Sequence, residues 1–177
     1  HEYGYFPQCM SRYFFRNPDK LLEKIRGDDA LYFEFQWHYR LPSEAFFDIG
    51  QLLHWTDVMI NASDSDADKV TLVGSILGKA PDGDDGIFPI ETVRKLLKIK
   101  KNEELTTAVA RGKINSLGLR DVEDGKKERE KSDIYKMQAR AMEIDYPQTS
   151  VILRILANFY ERESKRDQIS SEIEPLQ

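Results

Sequence analysis

The apolar and polar positions divide the chain into two unlike halves, and the first half contains one segment with a period of two. In residues 30–40, "ALYFEFQWHYR", one set of side chains would point one way: Leu31, Phe33, Phe35, Trp37 and Tyr39. Tyr32, Glu34, Gln36 and His38 would point the other way. This alternation predicts a β-strand. A strand needs a partner, for which residues 11–15 or a neighbouring chain are the candidates.

Helical signals surround this segment. Residues 18–27 predict a short helix, because Asn17 can cap it, Pro18 suits its first turn and Gly27 can end it. Residues 42–63 predict a longer helix with one apolar face: Phe46, Ile49, Leu53, Thr56 and Ile60. Residues 65–77 fit a strand or a helix, and the pattern leaves both open.

The second half has the spacing of amphipathic helices. Pro89 can open a helix with an inward face, Ile90, Val93 and Leu97, and an outward face, Arg94, Lys95, Lys98 and Lys101. Asn102 can cap a second helix that ends at Gly112 and buries Leu105, Ala108 and Val109.

Two further helices are expected at the end of the chain. Residues 126–144 carry apolar side chains in a 3-4-3 spacing, which predicts a narrow packing seam: Ile134, Met137, Ala141 and Ile144. Pro147 can start a last helix that buries Ile152, Ile155, Leu156, Phe159 and Tyr160 and is polar from Glu161 onward. The tight turn at 145–147 predicts an antiparallel helical hairpin.

These elements predict a mainly α fold with a small β element in a single domain, 1–177. A front lobe, 1–77, is rich in aromatic residues, since 14 of the 19 lie within the first 55 positions. A helical back lobe, 78–177, follows a boundary of aspartate, glycine and proline at 78–89.

Composition narrows the functional classes. With 40% hydrophobic and 32% charged residues the chain is typical of a globular protein, and no apolar run approaches the roughly 20 residues of a membrane span. The net charge of −5 argues against a general polyanion binder but leaves room for a local basic patch. Cys9 is the only cysteine, so no internal disulfide forms and a cytoplasmic location is expected. The first residue, His1, favours a trimmed chain or a piece of a longer protein.

The stretch 70–89, "VTLVGSILGKAPDGDDGIFP", suggests three alternatives: a phosphate cradle, a calcium loop or a packing seam. A phosphate-binding P-loop has four residues between its glycines and a hydroxyl after its lysine. Gly74 and Gly78 are separated by three, and Ala80 follows Lys79. We therefore interpret the glycines as sites of tight turns and close packing, with the acidic loop as the neighbour of Lys79.

A calcium loop is incomplete as well. Asp64, Asp66 and Asp68 match the first oxygen ligands, but Lys69 stands at the turn glycine and Ser75 at the closing glutamate. Solvated turns explain these aspartates better, so we expect neither a metal site nor a cofactor.

A basic segment is the clearest candidate for nucleic-acid contact. Two short helices around Asn102 would resemble a helix-turn-helix and present six basic residues: Arg94, Lys95, Lys98, Lys101, Arg111 and Lys113. The alternative is a solvated outer face that balances the acidic loop before it.

Evidence for catalysis is sparse. The chain has no nucleophile elbow, and a Pro18-Asp19 pair with Glu34–Gln36 matches a nuclease site less well than a helix start and a strand. An enzyme would need a cleft between the lobes, with five candidate residues: His38, His54, Asp82, Asp84 and Asp85.

Three segments together resemble a known family. They are "GKAPDGDDGIFPIETVR" at 78–94, "GKINSLGLRDVEDGKKERE" at 112–130 and "YPQTSVILRILANFYERESKRD" at 146–167. In this order they resemble an uncharacterised helical domain of large or hypothetical bacterial proteins, over residues 78–172. The resemblance implies a bacterial origin and a helical fold, and it implies no activity.

The leading functional hypothesis is a non-enzymatic module for protein–protein interaction or self-association. The expected partners are a second copy or a larger polypeptide, with nucleic acid as the second hypothesis, an enzyme as the third and no membrane contact. The expected strand without a partner and the polar end of the last helix motivate the first hypothesis.

Overall fold

The computed structural model of the chain describes residues 7–26, 28–61, 66–117 and 125–173. Within these residues the fold is mainly helical, and no strand occurs. A short 3-10 helix at Ser43–Phe46 accompanies the α-helices: α1 Gln8–Arg16, α2 Pro18–Ile25, α3 Asp29–His38, α4 Ile49–Asn61, α5 Asp66–Leu77, α6 Glu91–Lys100, α7 Glu103–Asn115, α8 Lys126–Met142 and α9 Pro147–Ile173.

The predicted strand at 30–40 is wrong, because this segment forms α3. The Asp28 side chain caps the helix by accepting a hydrogen bond from the Leu31 amide at 2.9 Å. Phe35 and Tyr39 are fully buried, whereas Phe33 is 56% exposed. Residues spaced by four lie on one face of a strand and also on one face of a helix. The alternation therefore did not distinguish the two structures.

The other helices of the front half differ from expectation in detail. Residues 11–15, the proposed strand partner, belong to α1, and the predicted helix at 18–27 is confirmed as α2. The predicted face of α4 is confirmed in part, since Thr56 is fully buried and Ile49, Leu53 and Ile60 are half-buried against the core. Leu52, Trp55 and Met59, which the prediction left out, are fully buried as well. The 3-10 helix ends at Phe46, before α4 begins, so Phe46 lies outside the register of α4.

The ambiguous segment at 65–77 is helical from Asp66, and α5 crosses α7 at close range. Gly74 packs against Ala108, and a Cβ added at Gly78 would lie 2.6 Å from the backbone of Gly112. Asn102 caps α7 as predicted, but α7 continues through Gly112 to Asn115. Gly112 does not end α7, because it lies in the α5–α7 crossing, where a Cβ would stand 2.7 Å from the Gly74 carbonyl oxygen.

The last two helices lie against each other through small and polar side chains. The Ser132 hydroxyl of α8 donates to the Ala157 carbonyl of α9 at 3.0 Å, and the Ser150 hydroxyl donates to the Ala139 carbonyl at 2.8 Å. Late residues of α8 thus meet early residues of α9. The apolar stripe predicted to form this contact is instead exposed, because Ser132 and Ala139 occupy the buried side.

One hydrophobic core connects the helices from both halves of the chain. Trp55 of α4, Leu72 of α5 and Leu96 of α6 are fully buried in it, as is Leu156 of α9. Among the described residues, none of the helices has the length and apolar content needed to cross a bilayer.

Candidate functional site

Arg94 is one of the six basic residues predicted to contact nucleic acid, and its expected exposure is wrong. Its side chain is 3% exposed and its guanidinium forms two 2.7 Å hydrogen bonds with the Asp85 carboxylate. It also donates to the carbonyls of Pro89 and Ile87. The guanidinium holds the pKa of Asp85 at about 2, below its usual value. Arg94 therefore fixes the loop between α5 and α6 and does not face a ligand.

The three candidate lysines of the α6 region are exposed, and Lys95 and Lys98 have local partners. Lys95 forms a 3.0 Å ion pair with Glu91 one helical turn earlier, and Lys98 lies 5.4 Å from the centre of the Tyr146 ring. Lys101 follows α6 in the left-handed conformation, with φ of 51°. Of these three charges, that of Lys95 is thus partly offset at the surface.

The two basic residues of α7 lie on different surfaces. Arg111 lines a groove of about 340 Å³ that also contains Glu103 and Glu104. The Lys113 ammonium lies 4.3 Å from the centre of the Phe88 ring and 3.5 Å from the Asp82 carboxylate. The six predicted residues therefore do not form one continuous basic face.

The five cleft candidates are dispersed too. His38 lies at the end of α3, His54 is exposed on α4, and the three aspartates lie in the loop before α6. Asp85 is engaged by Arg94, and Asp82 by Lys113. The two cavities that His38 lines contain neither His54 nor these aspartates.

Lys79 occupies an unusual position between α3 and α5. Its ammonium donates to the Gln36 carbonyl and, at 3.4 Å, to the Tyr39 carbonyl, both at the C-terminal end of α3. The expectation that Lys79 faces the acidic loop is therefore wrong. A cation is favourable at this end of a helix, where carbonyl groups lack helical partners. Burial, and secondly the nearby Arg40, lowers the pKa of Lys79 to about 7.

A cavity of about 350 Å³ opens beside Lys79, which we call the Lys79 cavity. It lies where α3, α5 and α7 end, and its lining includes Trp37, His38, Arg40, Ser75, Gly112 and Asn115. In the part of the chain that the structure describes, this lining contains no acidic side chain. The lining combines the aromatic ring of Trp37, the backbone of Gly112 and several hydrogen-bond donors.

A second surface feature is the apolar row on α8, which we call the α8 stripe: Ile134, Met137, Ala141 and, in the following turn, Ile144. Met137 is 65% exposed and Ile144 is 91% exposed. Ile134 is 49% exposed, and Ala141 is exposed as well. The stripe turns away from the side on which Ser132 and Ala139 contact α9.

The sequence predicted the apolar residues of the α8 stripe but placed them in the contact with α9. It did not predict the Lys79 cavity. The cavity is formed by residues that are distant in the chain. Because residues 30–40 were predicted to form a strand, Trp37 was not expected to lie at the end of a helix. The signal that could have found it was Asp28, an N-cap residue placed just before the aromatic run.

Comparison with known proteins does not assign a function to the Lys79 cavity or to the α8 stripe. The resemblance of residues 78–172 to a bacterial helical domain, and the origin it implies, therefore stay predictions. The chain matches no family model, no curated protein and no solved structure.

Proposed function

We propose that this protein is an interaction module that self-associates through the α8 stripe. The observation that carries the proposal is the exposure of the stripe, since Ile134 and Met137 of α8 and Ile144 of the following turn all face solvent. Scattered apolar residues are normal on protein surfaces, but a continuous row on one helix is typical of a helix–helix interface. The 3-4-3 spacing is that of side chains that pack between two helices.

A second copy of the chain suits the stripe by size and symmetry. An antiparallel copy whose two-fold axis crosses the stripe level with residue 139 along α8 would set Ile134 of one chain against Ile144 of the other. The same axis would set Met137 against the small Ala141, so that a long and a short side chain interlock. A two-fold arrangement closes on itself and gives a defined dimer.

The nucleic-acid hypothesis has less support from the positions of its residues. Arg94 is buried against Asp85, and Lys113 lies beside Asp82 on another surface. A phosphate backbone is bound by cations that lie side by side. Arg94 and Lys113 instead pair with aspartates and lie apart from each other.

Sedimentation equilibrium over a wide concentration range tests self-association. The wild-type protein is expected to shift from monomer to dimer as its concentration rises, and the double variant Met137→Glu/Ile144→Glu is expected to remain monomeric. Ile99→Glu is the matched control, because Ile99 is 58% exposed on α6, outside the stripe. A wild-type protein that stays monomeric throughout, or an Ile99→Glu variant that dissociates equally, would contradict the proposal.

A further inference from the structure

Below its pKa of about 7, Lys79 places a positive charge in the Lys79 cavity, and the contacts that the structure describes for its ammonium are backbone carbonyls alone. Lys79 is partly buried and donates to two backbone carbonyls, and no carboxylate of the described residues pairs with it. Charged groups removed from water normally have an opposite charge beside them. Since a lysine ammonium has three N–H donors and two are used, one remains for a bound group.

The lining of the cavity also includes an aromatic side chain, Trp37. Trp37 is 52% exposed at the rim, whereas Trp55, the other tryptophan of the chain, is fully buried. Gly112 has no side chain and leaves the backbone of α7 as part of the lining. A flat apolar ring could therefore lie against the indole while an attached anionic group reached Lys79.

The helix ends restrict the charge of such an anion. The cavity lies at the C-terminal ends of α3, α5 and α7, where the backbone contributes partial negative charge. Phosphate dianions are instead typical of helix N-termini. A single negative charge matches the ammonium of Lys79 without opposing three helix ends strongly.

We propose that the Lys79 cavity binds a small aromatic carboxylate, with its carboxylate group on the Lys79 ammonium and its ring against Trp37. The cavity volume of about 350 Å³ lies within the range of about 300 to 1,000 Å³ that is common for small-molecule sites. Arg40 at the end of α3 adds to the positive potential, and α7 contributes neutral groups, Gly112 and Asn115. The site is independent of the α8 stripe, so either proposal can fail alone.

Benzoate is the probe, and benzamide is its neutral isostere. Titration of the full chain with benzoate at about pH 6, where Lys79 is protonated, is expected to change tryptophan emission in a saturable way, because Trp37 is the exposed indole. Calorimetry measures the same affinity without the indole signal. Benzamide and inorganic phosphate at equal ionic strength are expected to bind at least about tenfold more weakly.

Substitutions locate the site. Lys79→Met is expected to weaken benzoate binding at least about tenfold, whereas Lys100→Met is expected to leave it unchanged. Lys100 is the matched control, since its side chain is 21% exposed and pairs with Asp57. If circular dichroism shows that Lys79→Met does not fold, Trp37→Ala, at a half-exposed position, is expected to weaken binding at least about threefold.

Four results would overturn the proposal. They are no saturable response to benzoate, equal binding of benzamide, tighter binding of phosphate, and unchanged affinity in a folded Lys79→Met variant. In the case that Lys79→Met is unfolded, unchanged affinity in Trp37→Ala takes the place of the last result.

Discussion

Two pairs of helices in this chain achieve close contact in opposite ways. At the α5–α7 crossing the backbones approach through Gly74 and Gly112, and the apolar residues around them, such as Val73 and Val109, are fully buried. The α8–α9 pair meets through the hydroxyls of Ser132 and Ser150, which donate to backbone carbonyls, and through the stacked rings of Tyr135 and Tyr160. The large apolar residues of the α8 stripe are left on the outside.

This difference separates hydrophobicity from burial. Glycines let two helices come close enough to bury their own apolar neighbours, as they do Val73 and Val109 at the α5–α7 crossing. In α8 the contact with α9 is made by Ser132, Tyr135 and Ala139, and the α8 stripe is not used within the described part of the chain. An apolar row that the fold itself does not require is what a binding partner can use.

The largest effect is expected from filling the α5–α7 crossing. Gly112→Val places two methyl groups where even a Cβ would lie 2.7 Å from the Gly74 carbonyl oxygen, so the helices must separate. We expect a loss of about 3 kcal/mol or more in the free energy of unfolding, measured by urea denaturation.

A glycine outside the crossing provides the control. At Gly50 in α4 an added Cβ would meet only the Asp48 carboxylate oxygen at 3.4 Å, an ordinary contact. Gly50→Ala is therefore expected to be neutral or to stabilise by up to about 1 kcal/mol, because alanine favours the helix. Equal losses in the two variants would contradict the close-contact explanation of the crossing.

The same contrast explains what could be predicted from the sequence. Caps and prolines act locally, so Asn102, Pro18 and Pro147 predicted helix starts correctly. Gly112 looked like a helix end because only the tertiary contact with α5 shows its role. Ile134 and Met137 predicted a helix face but not the direction of that face, since periodicity alone does not say whether a stripe meets this chain or another.

The candidate site was harder to predict, for a related physical reason. The Lys79 cavity combines the ends of three helices, and its basic residue is recognised by backbone carbonyls of α3, which no side-chain pattern encodes. Arg94 was expected outside because charged residues are rarely buried, yet Asp85 and two carbonyls compensate its charge.

A smaller effect on the free energy of unfolding is expected from removing the side chain that holds the loop between α5 and α6. Arg94→Met removes donors from the carbonyls of Pro89 and Ile87 and the ion pair with Asp85. We expect a loss of about 2 kcal/mol in the free energy of unfolding near neutral pH.

The pH dependence identifies the ion pair. The pKa of Asp85 is lowered from 3.8 to about 2, so its stabilising contribution is complete above 3.8 and disappears as the pH falls towards about 2. The difference in the free energy of unfolding between wild type and Arg94→Met should therefore become smaller as the pH falls from 3.8 to about 2. Urea denaturation at several pH values measures this difference. A difference that stays constant across the interval would show that Asp85 does not contribute through its charge.

The smallest and most discriminating effect concerns the α8–α9 contact, where hydrophobic content and stability should run in opposite directions. Ser132→Leu adds apolar volume at a position that is 1% exposed, pushes α9 away and removes the bond to the Ala157 carbonyl. We expect it to cost about 1 to 2 kcal/mol. Ile134→Ser removes a large apolar side chain two residues later, yet it should change the unfolding free energy of the monomer by less than about 0.5 kcal/mol. Denaturation at a concentration below dimer formation measures both. If Ile134→Ser cost more than Ser132→Leu, the α8 stripe would belong to the core of this chain, and a second copy would no longer be needed to explain it.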